Sequence, residues 1–485
     1  MKKTNKVFNN LYHSPTVMTW FSFSAKSLSI LVVLPLILTK FSINEISLWF
    51  LFGILFSFQI VADLGFGSTF TRLISYAMAG LKSLDDINLK EPVFQEPKVP
   101  NLPLMTALNK KMKVIFFFLA GLATIFLGCF SFLFLDTPIE KLETPQHGYY
   151  LLTLILGVLF LKIYSRRYAS FICGVNEVAL LRRWEGFITY LQILSSIVVL
   201  LLSENFNFLV INNQLWILVG IVNTYYLQKK VSKDKFQPAL DKNVPVILKK
   251  EVFRKHVLSP SYKSGVGNLI SYGVNSLTFF VLVDFLTEDD LATFLLTSKI
   301  VNMISEFTRA PFYANLPFFA KNFPLISREE LPSLVQNSIN RSIFLATAGL
   351  ITVSILGEIL LEILGGKIDS FNHHLWFLFS LNLLCERTGA MHFQMHSISN
   401  NVTWHKANLV YASLFGLITV STIDLLGLFA IPVAMLISNL LYYTPCALQT
   451  THKFYSYKFY DFNRGVFICL SLLTVCNFII LVTLA

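Results

Sequence analysis

Apolar windows of about twenty residues recur along almost the whole chain, and they constrain it more than any motif it carries. Inside a bilayer every backbone N–H and C=O must find its partner within the protein, so a spanning segment is a long helix or a strand of a closed barrel. The period-two alternation of barrel strands is absent. Read with Gly, Pro and charge clusters as punctuation, the windows fall near 17–39, 45–78, 113–135, 147–165, 184–203, 207–227, 264–286, 290–320, 342–364, 372–386, 405–426, 428–449 and 465–484. The sequence thus predicts an all-α polytopic membrane protein with about 13 transmembrane helices. Only 14% of residues are charged and 54% are hydrophobic. A soluble domain carries about 25% charged residues, so a soluble enzyme, a disordered chain and a collagen-like or disulfide scaffold are excluded.

The net charge is +11. In a soluble protein that would suggest nucleic acid, but here the placement of the charge matters more. With the N-terminus in the cytoplasm, the inside segments hold 31 of the 39 Lys and Arg, while the outside loops hold only Lys40, Lys141 and Lys367. This bias orients the chain with its N-terminus inside and implies no nucleic-acid partner. The first apolar run carries Lys26 in its middle and no cleavage signature follows, so it reads as an uncleaved span. Cys129, Cys173, Cys385, Cys446, Cys469 and Cys476 show neither C-x-x-C nor zinc spacing and read as small buried hydrophobes.

The basic segment 229–263 divides the chain into six spans before it and seven after. Residues 36–50 lie over 281–295 at an offset of 245, each a span end, a short outside turn and a new span. Arg167 and Trp184 lie over Arg387 and Trp404 at an offset of 220. The reading is an N-terminal six-helix bundle (1–228), a basic cytoplasmic linker (229–263), a C-terminal six-helix bundle (264–449) and an additional C-terminal helix (450–485). A repeat of six spans gives both halves the same orientation, related by a pseudo-two-fold axis along the membrane normal.

A Lys, Arg or Asp at mid-bilayer costs at least about 2.5–3.5 kcal/mol and is tolerated when it faces the bundle interior or a wet cavity. In the first span Thr19, Ser22, Lys26 and Ser29 share one helical face; in its counterpart Ser264, Asn268, Ser271 and Asn275 do the same. In the eighth span Lys299, Asn302, Glu306 and Arg309 step by 3, 4 and 3, which lets Glu306 pair with Arg309. Span two carries Gln59 and Asp63, then Gly65, Gly67 and Arg72. Asp63 and Arg72 line one cavity only if the glycines bend or unwind the helix. These stripes point to a hydrophilic, cationic cavity suited to an anionic head group. Helix–helix hydrogen bonding is the competing account. Arg166, Arg167, Arg182 and Arg183 read as ordinary positive-inside charge.

Enzyme signatures fail. Gly365-Gly366-Lys367 is followed by Ile368, so no Walker motif exists, and Asp63 to Gly67 lacks the strand and third glycine of a dinucleotide turn. His392 and His396 are an i, i+4 pair without the glutamate of a zinc protease, and no metal site or resident cofactor is predicted.

The stretch Asp63-Leu-Gly-Phe-Gly-Ser-Thr-Phe-Thr-Arg72, after Ile46-Ser-Leu-Trp-Phe50, resembles the corresponding region of bacterial polysaccharide flippases, the O-antigen (Wzx-type) branch of the multidrug/oligosaccharidyl-lipid/polysaccharide (MOP) transporter superfamily. Span eight, with Glu306-Phe-Thr-Arg309-Ala-Pro311 and Pro317, looks like the equivalent segment of the second half. The resemblance covers nearly the whole chain as a pattern of two six-span bundles. It implies translocation of an undecaprenyl-diphosphate-linked oligosaccharide from the cytoplasmic to the outer leaflet of the bacterial inner membrane by alternating access, in O-antigen, capsule or exopolysaccharide biosynthesis. It further implies Lys26, Arg72, Lys299 and Arg309 as a basic lumen, Ser22, Ser29, Asn268, Asn275 and Asn302 as its polar lining, and Asp63 and Glu306 as gating or coupling carboxylates. Coupling to H+ or Na+, a polysaccharide polymerase and a chain-length regulator as partners, and a monomeric state belong to the same expectation. Thirteen spans depart from the usual twelve or fourteen, and 81–112 reads as an insertion. Two other readings stay open: a multidrug or cation antiporter of the same superfamily, which needs an acidic, aromatic pocket, and a non-transporting membrane scaffold for polysaccharide assembly.

Overall fold

The computed structural model describes residues 9–57, 62–88, 99–142, 144–203, 205–236, 248–364 and 371–484. Among them there are helices and turns but no strand. The chain divides into two compact units, 1–86 with 97–262 and 87–96 with 263–485.

Unit 1 is built from α1 (Pro15–Lys40), α2 (Ile43–Ser57), α3 (Phe66–Met78), α4 (Leu102–Phe134), α5 (Pro145–Gly174), α6 (Val178–Leu202) and α7 (Phe206–Phe236). Local chemistry sets several of their ends. Ser14 caps α1 by accepting the N–H of Val17, with Pro15 at the first turn, where its missing N–H costs nothing. Asn101 caps α4 through Leu104 N–H at 3.0 Å and uses its amide to hold Leu81 O at 2.8 Å. Lys233 and Lys235 extend the last turn of α7 to Phe236, eight residues into the segment read from sequence as linker. Cations suit a helix C-terminus, and Lys235 also pairs with Glu177 at the start of α6. The core gathers Ile37, Leu48, Phe52, Leu55, Ile155, Leu159 and Leu209. Phe118, Leu122 and Ile125, each about 70% exposed, form an outward apolar stripe on α4. In water such a stripe would be costly; a bilayer removes the cost.

Unit 2 follows with α8 (Ser259–Phe285), α9 (Glu288–Thr308), α10 (Leu331–Leu364), α11 (His373–Ser397), α12 (Trp404–Leu426), α13 (Ala430–Ser438), α14 (Thr444–Tyr455) and α15 (Phe459–Leu484). A π turn, Asn439–Tyr443, joins α13 to α14. Thr287 caps α9 and Asn372 caps α11. Trp376, Leu384, Leu350, Ile431 and Leu473 are fully buried at its centre.

The same pairings recur in the two units. In unit 1, α1 packs on α6, α4 on α5, α5 on α7, α6 on α7, and α3 on both α4 and α5. In unit 2, α10 packs on α11, α11 on α13 and α14, α12 on α13, and α9 on both α10 and α11, while Asn408 of α12 donates to Ser271 Oγ and Gly267 O of α8. Span two and span eight are both broken. The first breaks at the turn Asp63–Gly65, directly before α3; the second continues past α9 only as short turns at Ala310–Tyr313 and Leu316–Asn322. Unit 2 alone adds α15, which packs on α10 and α11. Among the described residues, eight continuous helical stretches are long and apolar enough to cross a membrane, one of which, Trp404–Tyr455, is 52 residues and holds two of the spans expected from sequence. A count of thirteen does not follow from them.

Candidate functional sites in the two units

In unit 1 the break in span two is built around Asp63. Leu64 and Gly65 have φ of 46° and 74°, a left-handed pair that a glycine makes affordable. Asp63 Oδ1 accepts the N–H of Gly65 at 2.7 Å, and Oδ2 accepts from Arg166 Nε of α5 at 3.1 Å. A Cβ on Gly67 would lie 2.6 Å from that same Oδ2, so only glycine lets the carboxylate and Arg166 meet there. The helix unwinds where the glycines predicted, but Asp63's ion pair is with Arg166, a residue the sequence reading assigned to bulk positive charge. Arg72 is buried on α3 and donates to Thr69 Oγ1 at 3.2 Å.

A second charged group sits along α6, which packs on both α1 and α5. Arg182 Nη1 donates to Glu185 Oε2 at 2.8 Å, and Lys26 of α1 and Lys162 of α5 act on the same carboxylate through space. Among the described residues Arg182 alone is in contact with the carboxylate; Lys162 is half-buried and Lys26 is exposed. Lys26 Nζ also stands 5.7 Å over the ring of Phe23. The approach of α1 to α6 depends on Gly186, where a Cβ would come within 2.6 Å of Phe21. Ser22 is fully buried in that contact, and its hydroxyl has no hydrogen-bond partner among the described residues. Ser29 is half-buried. Arg167 and Arg183 are taken up by aromatic faces, Arg167 at 4.5 Å from Tyr164 and 4.3 Å from Tyr168, Arg183 at 3.7 Å from Tyr12.

Unit 2 holds a cavity of about 330 Å³ lined from α8, α9, α11, α12, α13 and the π turn. Its α9 wall is Ser298, Val301, Asn302, Ser305, Glu306 and Arg309. Glu306 and Arg309 form the ion pair read from their spacing. Asn302 belongs to this wall, but Lys299 is exposed and does not line the cavity. Asn268 is half-buried on α8, one turn before the lining residue Ser271, and the side chain of Asn275 lies outside the described residues, as does Gln59. Glu386 of α11 also faces the cavity, beside Tyr411 and Tyr443. It forms no hydrogen bond or ion pair among the described residues, because its neighbour Arg387 turns to Ser305 O at 3.1 Å and to Ser305 Oγ.

Glu386, Lys162 and Glu185 are the groups that the sequence reading did not single out. Each is an ionisable residue within or at the end of an apolar window, which is itself the available signal. His392 is fully engaged, Nδ1 with Thr451 Oγ1 at 2.8 Å and Nε2 with Asn463 Oδ1 at 3.0 Å, and His396 packs edge-on against Phe454. Among the described residues no three potential ligands gather around a metal position.

The sequence matches no family model and no curated protein sequence. Solved structures do match in fold. A MATE transporter in its bent conformation superimposes with a TM-score of 0.67 at 12% identity, over 96% of this chain and 98% of that one. An outward-facing multidrug resistance MATE family transporter of the MOP superfamily gives 0.63 at 12% identity, over 92% and 98%. A MOP superfamily transporter from Pyrococcus furiosus, described as having a binding pocket of reversed polarity that suggests a different function, gives 0.60 at 12% identity, over 92% and 98%. The chain has the all-helical fold of the MATE transporters. With its apolar helices, it is a multi-pass membrane protein.

Proposed function

We propose that the protein is a secondary-type transporter that moves an undecaprenyl-diphosphate-linked oligosaccharide across the bacterial inner membrane, from the cytoplasmic to the outer leaflet, with its N-terminus in the cytoplasm. The observation that carries this reading is the gathering of Lys26, Lys162 and Arg182 on the helices near Glu185, of which Arg182 alone is in contact with the carboxylate. Unbalanced positive charge among apolar helices is expensive unless it faces water or an anion. A diphosphate, which cannot cross hydrocarbon bare, is the head group such a cluster accommodates. A pocket of reversed polarity on this same fold, as described for the Pyrococcus furiosus protein with the suggestion of a different function, supports a reading other than multidrug transport. Energy coupling falls to Glu386 rather than Asp63 or Glu306, because those two are each held by an arginine. Either H+ or Na+ satisfies a lone carboxylate.

A multidrug or cation antiporter is the second reading, and the solved neighbours support it more directly, since one of those cited above is described as a multidrug resistance transporter. The unpaired Glu386 between Tyr411 and Tyr443 is the acidic, aromatic element it requires. Lipid extraction and mass spectrometry of cells lacking the protein separates the two. Accumulation of a lipid-linked oligosaccharide, reversed by wild type but not by Lys26→Ala with Lys162→Ala, is the flippase result. No accumulation, with drug sensitivity restored by wild type and not by Glu386→Gln, establishes the antiporter and removes the flippase.

A further inference from the structure

The unit 2 cavity differs from the cationic cluster in what it offers a ligand. Its one complete ion pair, Glu306 with Arg309, cancels, and Glu386 leaves the lining acidic when ionised. A diphosphate gains nothing there. The rest of its polar lining is uncharged, chiefly amides and hydroxyls: Asn302, Asn382, Asn439, Ser271 and Ser298. An amide carries two donors and an acceptor with two lone pairs, which matches a ligand whose every hydroxyl both donates and accepts.

One of these amides is unfinished. Asn439 is 1% exposed; its Nδ2 donates to Asn382 Oδ1 at 2.7 Å, but its Oδ1 is buried with no hydrogen-bond partner. Leaving a buried acceptor unpaired is unfavourable, and a donating ligand hydroxyl would remove that penalty once the Asn439 side chain turns its Oδ1 to the cavity it lines. The backbone explains why Asn439 is there. In an α-helix residues four apart drift by about 40° around the axis. The π turn Asn439–Tyr443 is wider, and it takes back the drift so that Met435, Asn439 and Tyr443 all line the cavity. Single π turns recur at functional sites for this kind of reason. Phe379, Tyr411 and Tyr443 supply aromatic surface, with Tyr411 and Tyr443 edge to face at 5.8 Å.

We propose that this cavity binds one sugar ring of the transported glycan, with Asn439 and Asn382 as specificity-determining residues and the aromatic rings as its apolar wall. The inference rests on the flippase reading and deepens it. At about 330 Å³ the cavity lies at the lower end of ligand pockets, room for about one or two sugar rings and not for a whole lipid-linked oligosaccharide. Selectivity follows from the same geometry. A sugar lacking the hydroxyl that meets Asn439 Oδ1 leaves that acceptor buried and unpaired, and is rejected.

The test is saturation-transfer NMR on the full-length protein in lipid nanodiscs, free of sugar-based detergent. The probes are the methyl glycosides of each sugar released by acid hydrolysis of the host's own surface polysaccharide. At least one glycoside is expected to receive saturation from wild type. Its signal should fall at least five-fold in Asn439→Leu and in Asn302→Ala; the latter leaves the buried Asn382–Asn439 link untouched and guards against a folding defect. No transfer to any glycoside from wild type, or transfer undiminished in both variants, overturns the proposal. Lipid analysis of deletion cells reads the flippase assignment separately. Glycoside binding without lipid-linked glycan accumulation would retain the subsite and remove that assignment; accumulation without glycoside binding would do the reverse.

Discussion

In unit 1 the helices of the first and fifth spans, α1 and α6, meet across Gly186, and the charges beside that contact are Lys26, Lys162, Arg182 and Glu185. In unit 2 the first and fifth helices meet again, now with Gly267 on the first helix against Trp404 on the fifth, and the polar groups alongside are Asn408, Ser271 and Asn302. The packing relation is shared and the glycine has changed partners. What differs is the chemistry carried by equivalent helices. A helix pair needs only a small residue and a large one in contact to reproduce its crossing, so the remaining positions are free to become cationic in one unit and amide-rich in the other. The broken spans make the same point. Asp63 is locked by its own backbone turn and by Arg166, whereas Glu306 pairs with Arg309 within one short segment.

The strongest way to break this comparison is through the glycines. Gly67→Val puts a side chain against Asp63 Oδ2 and should cost about 3 kcal/mol or more, from overpacking together with the disrupted ion pair, so little monodisperse protein should survive size-exclusion chromatography. No equivalent glycine holds Glu306, and Glu306→Gln should purify like wild type. Transport gives the next largest effect. Glu386→Gln should slow substrate movement at least ten-fold and remove its dependence on pH or Na+, measured in proteoliposomes, while Glu306→Gln keeps that dependence.

A smaller effect isolates α15, which only unit 2 possesses. Ser354 Oγ donates to Asn477 Oδ1 at 2.9 Å and accepts from Trp376 Nε1 at 2.8 Å. Asn477→Leu should lower stability by about 1 kcal/mol in a denaturant titration, because the Ser354 hydroxyl loses one of its two acceptors and keeps only Leu350 O at 2.9 Å. The smallest effect concerns His256, buried on the π turn Arg254–Leu258 and 3.3 Å from Asp85 of unit 1. Burial, and then Lys255, push its pKa below the ordinary histidine value, against the pull of Asp85. The unfolded chain therefore binds the proton more readily, so the stability from neutral His256 is present above pH about 6.5 and is lost as the pH falls. His256→Gln should flatten the acid side of a thermal-stability profile by a few tenths of a kcal/mol; an unchanged profile would show that Asp85 balances burial, and a steeper one that Asp85 outweighs it.

Much of the architecture was legible in the sequence because its causes are local. Twenty-residue apolar windows dictate helices, two glycines after Asp63 dictate a break, and a spacing of three dictates the Glu306–Arg309 pair. Trp184 and Trp404, matched at an offset of 220, stand near the starts of α6 and α12. The site was legible only where its partners lie on one helix. Lys26 and Lys162 come near Glu185 because α6 packs on α1 and on α5, and no spacing along a single span announces that meeting. Lys299 shows the converse: it keeps step with Asn302 and Glu306 in sequence, yet it is exposed, one residue away from the Ser298 that lines the cavity. Glu386 was obscured by its neighbour Arg387, whose turn toward Ser305 is a tertiary event.

The central claim is that unit 1 carries the site for an anionic head group. Binding of undecaprenyl diphosphate to the purified protein in nanodiscs tests it most directly, comparing wild type with Lys26→Ala plus Lys162→Ala and with Lys299→Ala. The account predicts affinity at least ten-fold weaker in the first variant, a loss of about 1.4 kcal/mol or more, with a reduced salt dependence and little change for Lys299→Ala. Wild-type affinity in the double variant, or an equal loss on replacing Lys299, would contradict it.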